Sequence, residues 1–343
     1  MPGSPRTAAR TRLLAPALAL ALAAAATACS DDGSGGQARA SAVGGESAPF
    51  AASPYWVDPE SDAARQVRDW EAHGRAADAK ALKRIAERPV ADWPAGDDPG
   101  PEIRRAVRAA APHRRTVLLV AYNIPHRDCG RYSAGGAASA RAYTDWIDSF
   151  ARAVGDAPAL VVLEPDALPH LADGCTPPEY QDERYGLLSA AVARLGRQPH
   201  TRVYLDAGNP AWVTDTARMA GALRRAGVAA ADGFSLNVSN FQRDDAVKRY
   251  GDRLSGELGG AHFVMDTSRN GAGPLPGGRA EAWCNPPGRA LGKAPGTDTG
   301  DARLDAYLWI KRPGDSDGTC RGGPPAGSWW PEYALGLARR AAG

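Results

Sequence analysis

Six short apolar runs, separated by helical patterns, constrain this chain more than any other feature. The runs are Thr116–Tyr122, Leu160–Glu164, Thr201–Asp206, Gly233–Asn237, His262–Asp266 and Ala306–Ile310. Between the first two, Tyr143, Trp146, Ile147, Phe150 and Val154 recur at i, i+3, i+4, i+7 and i+11, the stripe of an amphipathic helix. Leu188, Ala191, Val192 and Leu195 repeat the spacing before the third run. Strands divided by helices cannot pair through tight hairpins, so they run parallel. An α/β fold follows, and over this length a closed or nearly closed β/α barrel fits. An open doubly wound sheet is the alternative, but no run is followed by a Gly-rich dinucleotide fingerprint.

The strand ends carry the chemistry. In "LVVLEPDALP" (Leu160–Pro169) a buried strand delivers Glu164 and Asp166 around Pro165. The first run leads to Asp128, the third ends in Asp206, the fifth in Asp266, and the sixth runs through Lys311 to Asp315 and Asp317. In a β/α barrel all C-terminal strand ends open onto one face, so these carboxylates are expected to share a cleft. Crowded acids raise one another's pKa, which places a protonated acid beside an ionised one. Two of them also have structural readings: Asp206 before Gly208 as a turn residue, and Asp266 before Arg269 as half of an ion pair. The chain has nine tryptophans. Trp93, Trp212 and Trp283 stand near the acids, as in a sugar site where rings stack on apolar sugar faces. Trp70, Trp146 and Trp309 read as core.

The first residues have a different character. Arg6, Arg10 and Arg12 precede an apolar stretch, Leu13–Ala28, that ends in "ATAC" at Cys29. Interrupted by Pro16, it is shorter than the ~20 residues that span a bilayer comfortably, and residues 1–28 are expected to be a signal peptide. "ATAC" resembles a lipoprotein cleavage box that would lipidate Cys29; an ordinary secretory signal is the alternative. Residues 29–49 then form a polar tether and residues 50–343 one domain. Loss of the leader takes the formal charge from +2 to −1, and no Lys/Arg-rich block suggests nucleic acid. With Cys29 set aside, Cys129, Cys175, Cys284 and Cys320 remain for pairing. None has CxxC spacing and the six histidines are scattered, so no metal is expected. Of three possible pairings, Cys129–Cys175 with Cys284–Cys320 is favoured; each closes a loop worth about 4 kcal/mol in the chain-entropy model.

Taken together these residues resemble glycoside hydrolase family 6, the inverting β-1,4-glucanases and cellobiohydrolases. "VAYNIPHRDCGRYSAGG" (Val120–Gly136) and "LVVLEPDALP" match the family's two signatures. "YLDAGNPAW", "NVSNF", "DTSRNG", "WCNPPGR" and "DAYLWIKRPGDSDG" follow in the family's order. The resemblance implies a distorted barrel with about seven parallel strands, one of them leading into Trp93, and an active site at their C-terminal ends. It implies Asp166 as general acid, aimed by Glu164 and Pro165, with Asp128 keeping that acid protonated and tied to water activation. Asp317 matches the proposed base. Trp93, Tyr122, Ser133, Asp206, Asn209, Trp212, Asn240, Trp283, Lys311 and Asp315 match substrate-binding positions. Two of these depart from the family pattern, Asn209 replacing a histidine and Asp315 a glutamate.

The expected function is therefore that of an extracellular endo-β-1,4-glucanase, monomeric, without a cofactor, and tethered to the membrane by lipidated Cys29. The segment between Cys284 and Cys320 lacks the long insertion of exo-acting members, which favours an open cleft over a cellobiohydrolase tunnel. A glycan-binding lipoprotein without turnover is a second reading. A metal-assisted phosphohydrolase is a third, opposed by the scarcity of histidine and the wealth of tryptophan.

Overall fold

Each apolar run forms a strand: β1 (Val117–Ala121), β2 (Ala159–Leu163), β3 (Thr201–Asp206), β4 (Gly233–Leu236), β5 (His262–Asp266) and β6 (Leu304–Leu308). In this computed structural model they pair in parallel and in chain order. Leu119 stands opposite Val161, and Val161 opposite Val203. The structure describes residues 54–277 and 281–341, all within the unit Pro49–Gly343. The leader, Cys29 and the tether lie outside the described residues.

The seam between first and last strands is filled by two residues. The N–H of Ala91 donates to the Trp309 carbonyl at 3.0 Å and that of Asp92 to the Leu118 carbonyl at 3.0 Å. The Val120 N–H returns a bond to the Asp92 carbonyl at 2.8 Å. This short seventh segment leads into Trp93, as expected, and curls the sheet into a distorted barrel. β6 begins two residues before its expected start. Asp305 interrupts its apolar run, taking hydrogen bonds from the Tyr204 hydroxyl and at His262 Nδ1, each at 2.7 Å.

Alternate residues along a strand point to opposite faces, and here both faces are covered. Leu118, Val120, Leu160, Val162, Tyr204, Val264, Ala306 and Leu308 fill the barrel. Leu119, Ala121, Val161, Leu163, Val203, Leu205, Phe234 and Met265 pack against the surrounding helices. Among the described residues these helices are α1 (Asp62–Ala72), α2 (Ala76–Ala86), α3 (Gly100–Ala110), α4 (Ala140–Val154), α5 (Ala167–Ala172), α6 (Pro178–Leu195), α7 (Thr216–Arg225), α8 (Asp244–Glu257) and α9 (Pro331–Arg340). The side chain of Ser139 caps α4 by accepting the Ala142 N–H at 3.1 Å. All five residues of the expected α4 stripe are buried. Truncating one of them, Phe150, to alanine would cost about 3–5 kcal/mol. Trp70 and Trp309 are buried with α1, α2 and α9, and Trp146 in the main core, as read from the sequence.

Candidate active site

The turn after β2 explains why two carboxylates leave one strand. Glu164 is 1 % exposed and never reaches solvent. Its carboxylate accepts the N–H groups of Asn123, at 3.0 and 3.1 Å to its two oxygens, and of Ile124, at 3.0 Å. It thereby ties the end of β1 to the end of β2. Burial lifts its pKa to about 7 against the pull of these bonds. Glu164 (φ 49°) and Asp166 (φ 71°) both adopt the left-handed backbone region, at a cost of roughly 1–2 kcal/mol each for such residues. On the far side of the turn the Asp166 N–H donates to Asp206 Oδ2 at 2.8 Å. Two buried acids thus brace a strained turn that turns Asp166 outward.

The segment after β1 supplies the opposing acid. Arg127 donates from Nη1 to the Tyr122 carbonyl (2.6 Å) and from Nε to the Ser133 carbonyl (2.8 Å), folding the loop onto itself. Within the loop, Asp128 Oδ2 accepts the Ser133 N–H at 2.6 Å. Gly136 closes it with φ 96°, where a Cβ would collide with the Ile124 carbonyl. Buried Arg184 of α6 holds the base of the loop through the Pro125 and His126 carbonyls at 3.2 and 2.8 Å. The Cys129–Cys175 disulfide fastens it to the segment after α5, and Cys284–Cys320 joins the segments that flank β6. Both favoured pairings are present.

Asp317 occupies the third wall. Its Oδ2 accepts from Arg269 Nη1 at 2.8 Å and from the Asn285 N–H at 2.9 Å, and Lys311 Nζ lies 3.3 Å from Oδ1. Asn285 Oδ1 accepts the Asp317 N–H in return, at 2.8 Å. Burial would raise this carboxyl, but Arg269 and Lys311 overcome it and hold Asp317 below the usual carboxylate range. The expected ion pair of Asp266 with Arg269 is not formed. Asp266 instead accepts four backbone N–H groups, of Ser239, Ser268, Ile310 and Lys311, at 2.9–3.3 Å. Arg269 is released to Asp317.

A cavity of about 460 Å³ opens between these walls. It is lined by Asp128, Asp166 and Asp317, by Trp93, Tyr122, Trp212 and Trp283, and by Ser133, Asn209, Asn240 and Lys311. Trp93 is fixed by its indole N–H to the Ile310 carbonyl at 2.8 Å and meets Tyr122 edge-on at 5.4 Å. Trp212 is fixed by an indole bond to Asp173 Oδ2 at 2.7 Å. A neighbouring hollow shares Trp93, Tyr122, Ser133 and Lys311 and prolongs the cleft. Two sequence candidates stand elsewhere. Asp206 lies behind the wall, on the Asp166 N–H. Asp315 borders the neighbouring hollow, 3 % exposed and paired with Arg312 at 2.7 Å.

The site's electrostatics separate its acids. Burial raises Asp166 to about 6, with the His170 charge pulling it down and the Asp128 charge pushing it up. Single donor atoms of Asp128, Asp166 and His170 lie within 4.8 Å of one another. A carboxyl that keeps its proton to about pH 6 can donate it to a leaving oxygen. Burial opposes charge on His170, but the carboxylates of Asp128, Asp173 and Asp166 outweigh it and raise the imidazole to about 9. An imidazolium has no lone pair for a metal, so this trio suits proton chemistry better than coordination.

A family profile, glycosyl hydrolases family 6, matches residues 50–341. The chain belongs to this family. Endoglucanase A of Cellulomonas fimi is 41 % identical over 298 residues, covering 85 % of this chain and 62 % of the relative. The chain thus spans about three fifths of that relative's length. Endoglucanase 1 of Streptomyces halstedii is 43 % identical, covering 82 % of this chain and 87 % of its own length. Among solved structures, the endoglucanase Cel6 from Mycobacterium tuberculosis, in complex with methyl-cellobiosyl-4-deoxy-4-thio-β-D-cellobioside, superposes with a TM-score of 0.78 at 45 % identity. It covers 85 % of this chain and 98 % of that one. In this family 6 chain, sequence reasoning passed over His170, Arg269 and Asn285 as site residues. Arg269 and Asn285 sat inside the motifs "DTSRNG" and "WCNPPGR". His170 follows Asp166 by one helical turn, a spacing that puts both on one face.

Proposed function

We propose that this protein is an extracellular endo-β-1,4-glucanase that hydrolyses its substrate with inversion. One observation carries the reading: Asp166, protonated to about pH 6, faces a cleft walled by Trp93, Trp212 and Trp283, with Asp128 beside it. The tryptophans take the apolar faces of glucose rings, and Asn209, Asn240 and Lys311 lie ready for their hydroxyls. Asp166 gives its proton to the glycosidic oxygen as the bond to the anomeric carbon breaks. Water attacks that carbon from the opposite face, and its proton passes to a carboxylate.

An inverting acid and base stand about 6.5–9.5 Å apart to admit that water. A carboxylate oxygen of Asp128 lies within 4.8 Å of one of Asp166, which suits Asp128 as the charge that keeps Asp166 protonated. Asp317, the base by resemblance, is an anion held by Arg269 and Lys311. Its low proton affinity suits it to stabilising positive charge at the sugar as much as to accepting a proton. A retaining route, with a carboxylate as nucleophile, is the alternative that the stereochemistry of the product tests. Proton NMR of the first product separates the two. The α-anomer appears first from an inverting enzyme, and the β-anomer from a retaining one.

The endo mode draws support from the relatives named endoglucanase and from the short Cys284–Cys320 segment. A cellobiohydrolase would release cellobiose with little loss of viscosity from carboxymethylcellulose, whereas an endoglucanase lowers viscosity at once. A glycan-binding protein without turnover would release no reducing sugar. Lipidation at Cys29 is part of the proposal, resting on "ATAC" and the polar tether. Cys29→Ser is expected to move the protein from the membrane fraction to the medium, and equal membrane association of both forms would remove the anchor.

A further inference from the structure

His170 is a buried ring with acids on both sides. It is 4 % exposed, and neither ring nitrogen makes a hydrogen bond to the protein. Nε2 lies 3.9 Å from Asp128 Oδ1, and Nδ1 lies 3.6 Å from Asp173 Oδ2. Trp212 stands edge-on against the ring, its centroid 4.8 Å away, and its own N–H is spent on Asp173. A neutral imidazole keeps one nitrogen as an acceptor, and here that lone pair would face a carboxylate. Two N–H groups, each aimed at an acid, fit both sides. The cation is the form this pocket is built for.

We propose that His170 is a positioning residue, a fixed imidazolium clamped between Asp128 and Asp173, that sets the pH at which Asp166 gives up its proton. The inference rests on the acid role of Asp166 argued above. Asp166 is surrounded from several elements. Asp128, Arg131 and Tyr122 face it from the β1 side, Asp206 from the end of β3, and Lys311 from beyond β6. Three carboxyls in one place would retain a proton too firmly for Asp166 to act as an acid near neutrality. His170 is the cation of this group that also holds Asp128. By supplying positive charge there, it lets Asp166 release its proton despite the neighbouring carboxylates. Removing it raises the proton affinity of Asp166, which loses a nearby positive charge.

The experiment has two arms. In the first, ¹⁵N NMR of the wild-type imidazole is followed from pH 6 to 10. Both nitrogens of His170 are expected to stay protonated through pH 8 and to titrate near pH 9, and a neutral ring at pH 7 would overturn the proposal. In the second, kcat/KM on a soluble glucan is measured against pH for the wild type, His170→Gln and His170→Lys. The alkaline limb should move up by about one to three pH units in His170→Gln, as for loss of a charge at this distance. The lysine variant should move it back toward the wild-type position. A glutamine variant that is slower but keeps the wild-type limb, or a lysine variant no different from glutamine, would make His170 a packing residue only. A wild type that turns over no glucan would defeat the functional reading instead, and the NMR arm would still report the charge.

Discussion

The carboxylate of Asp206 accepts the backbone N–H of Asp166 at 2.8 Å, so a residue that never reaches the cleft fixes the orientation of one that does. Asp206→Ala removes the acceptor and frees a left-handed turn to relax. A displacement near 1 Å at a reacting group costs roughly 10²-fold, and kcat is expected to fall by about that factor. Asp206→Asn keeps an oxygen in place and should lose far less. Equal losses in the two variants would place the role of Asp206 in its charge.

Asp166→Asn retains the shape of the side chain and removes the proton. Loss of general acid catalysis costs about 10²–10⁴-fold, and hydrolysis of unactivated β-1,4-glucan should drop within that range. Substrate affinity, measured by calorimetry with a short cello-oligosaccharide, should change little. A substrate whose leaving group needs no proton should be affected less than glucan.

Asn285 and Asp317 exchange backbone bonds, and the Asn285 side chain also donates to the Gly318 carbonyl at 2.7 Å. Asn285→Ala leaves the Asp317 N–H without a partner, a loss of about 1–3 kcal/mol for a buried group, while the Gly318 carbonyl keeps its bond from the Ser316 hydroxyl at 2.9 Å. A lower melting temperature with kcat reduced more than KM is raised is the expected result. Activity and stability both unchanged would show that Asp317 is held without the Asn285 side chain, by Arg269, Lys311 and the backbone N–H of residue 285.

Stability should fall as pH rises through neutrality. Glu164 and Asp206 are raised to about 7, and Asp166 and Asp92 to about 6, chiefly by burial. Unfolded, such groups titrate near pH 4, so between about 4 and 7 the folded chain binds more protons than the unfolded one. Their contribution is full below that window and lost through it. His170, raised to about 9, loses its contribution between its unfolded value and that point, in the same direction. The melting temperature is expected to be roughly 5 °C or more higher at pH 5 than at pH 8. A maximum at pH 8 would contradict the buried, protonated state of these carboxyls.

What the sequence made legible depended on repetition. Strands and helices announce themselves by period, and β3 and β5 begin and end where the apolar runs do. The segment at Ala91 and Asp92 is too short for any period, and it showed only through its link to Trp93. β6 was displaced because Asp305 faces Tyr204 and His262 rather than solvent. At the site, the motifs brought eleven expected residues to one cavity, since motif spacing follows the strand ends. The differences were of direction. Asp206 ends β3 but turns behind the cavity wall, Asp315 lies beyond β6 on the neighbouring hollow rather than in the main cavity, and Asp266 satisfies backbone where an ion pair was read. The one local mark of His170 is its place a helical turn after Asp166; the rest of its meaning comes from Asp128, which only folding brings near.

Both disulfides lie on the rim of the cleft and neither crosses the barrel. Cys129 adjoins Asp128, and Cys284 adjoins Asn285. The barrel interior closes through Leu118, Val120, Leu160, Val162 and their neighbours without help from sulfur. The fold and the working site are therefore secured by different chemistries. A chain held under reducing conditions would assemble its barrel yet lack fixed walls around Asp166 and Asp317, and would be inert. Competence would then arrive only with oxidation, so that the redox state of its surroundings, rather than folding of the barrel, would switch the site on.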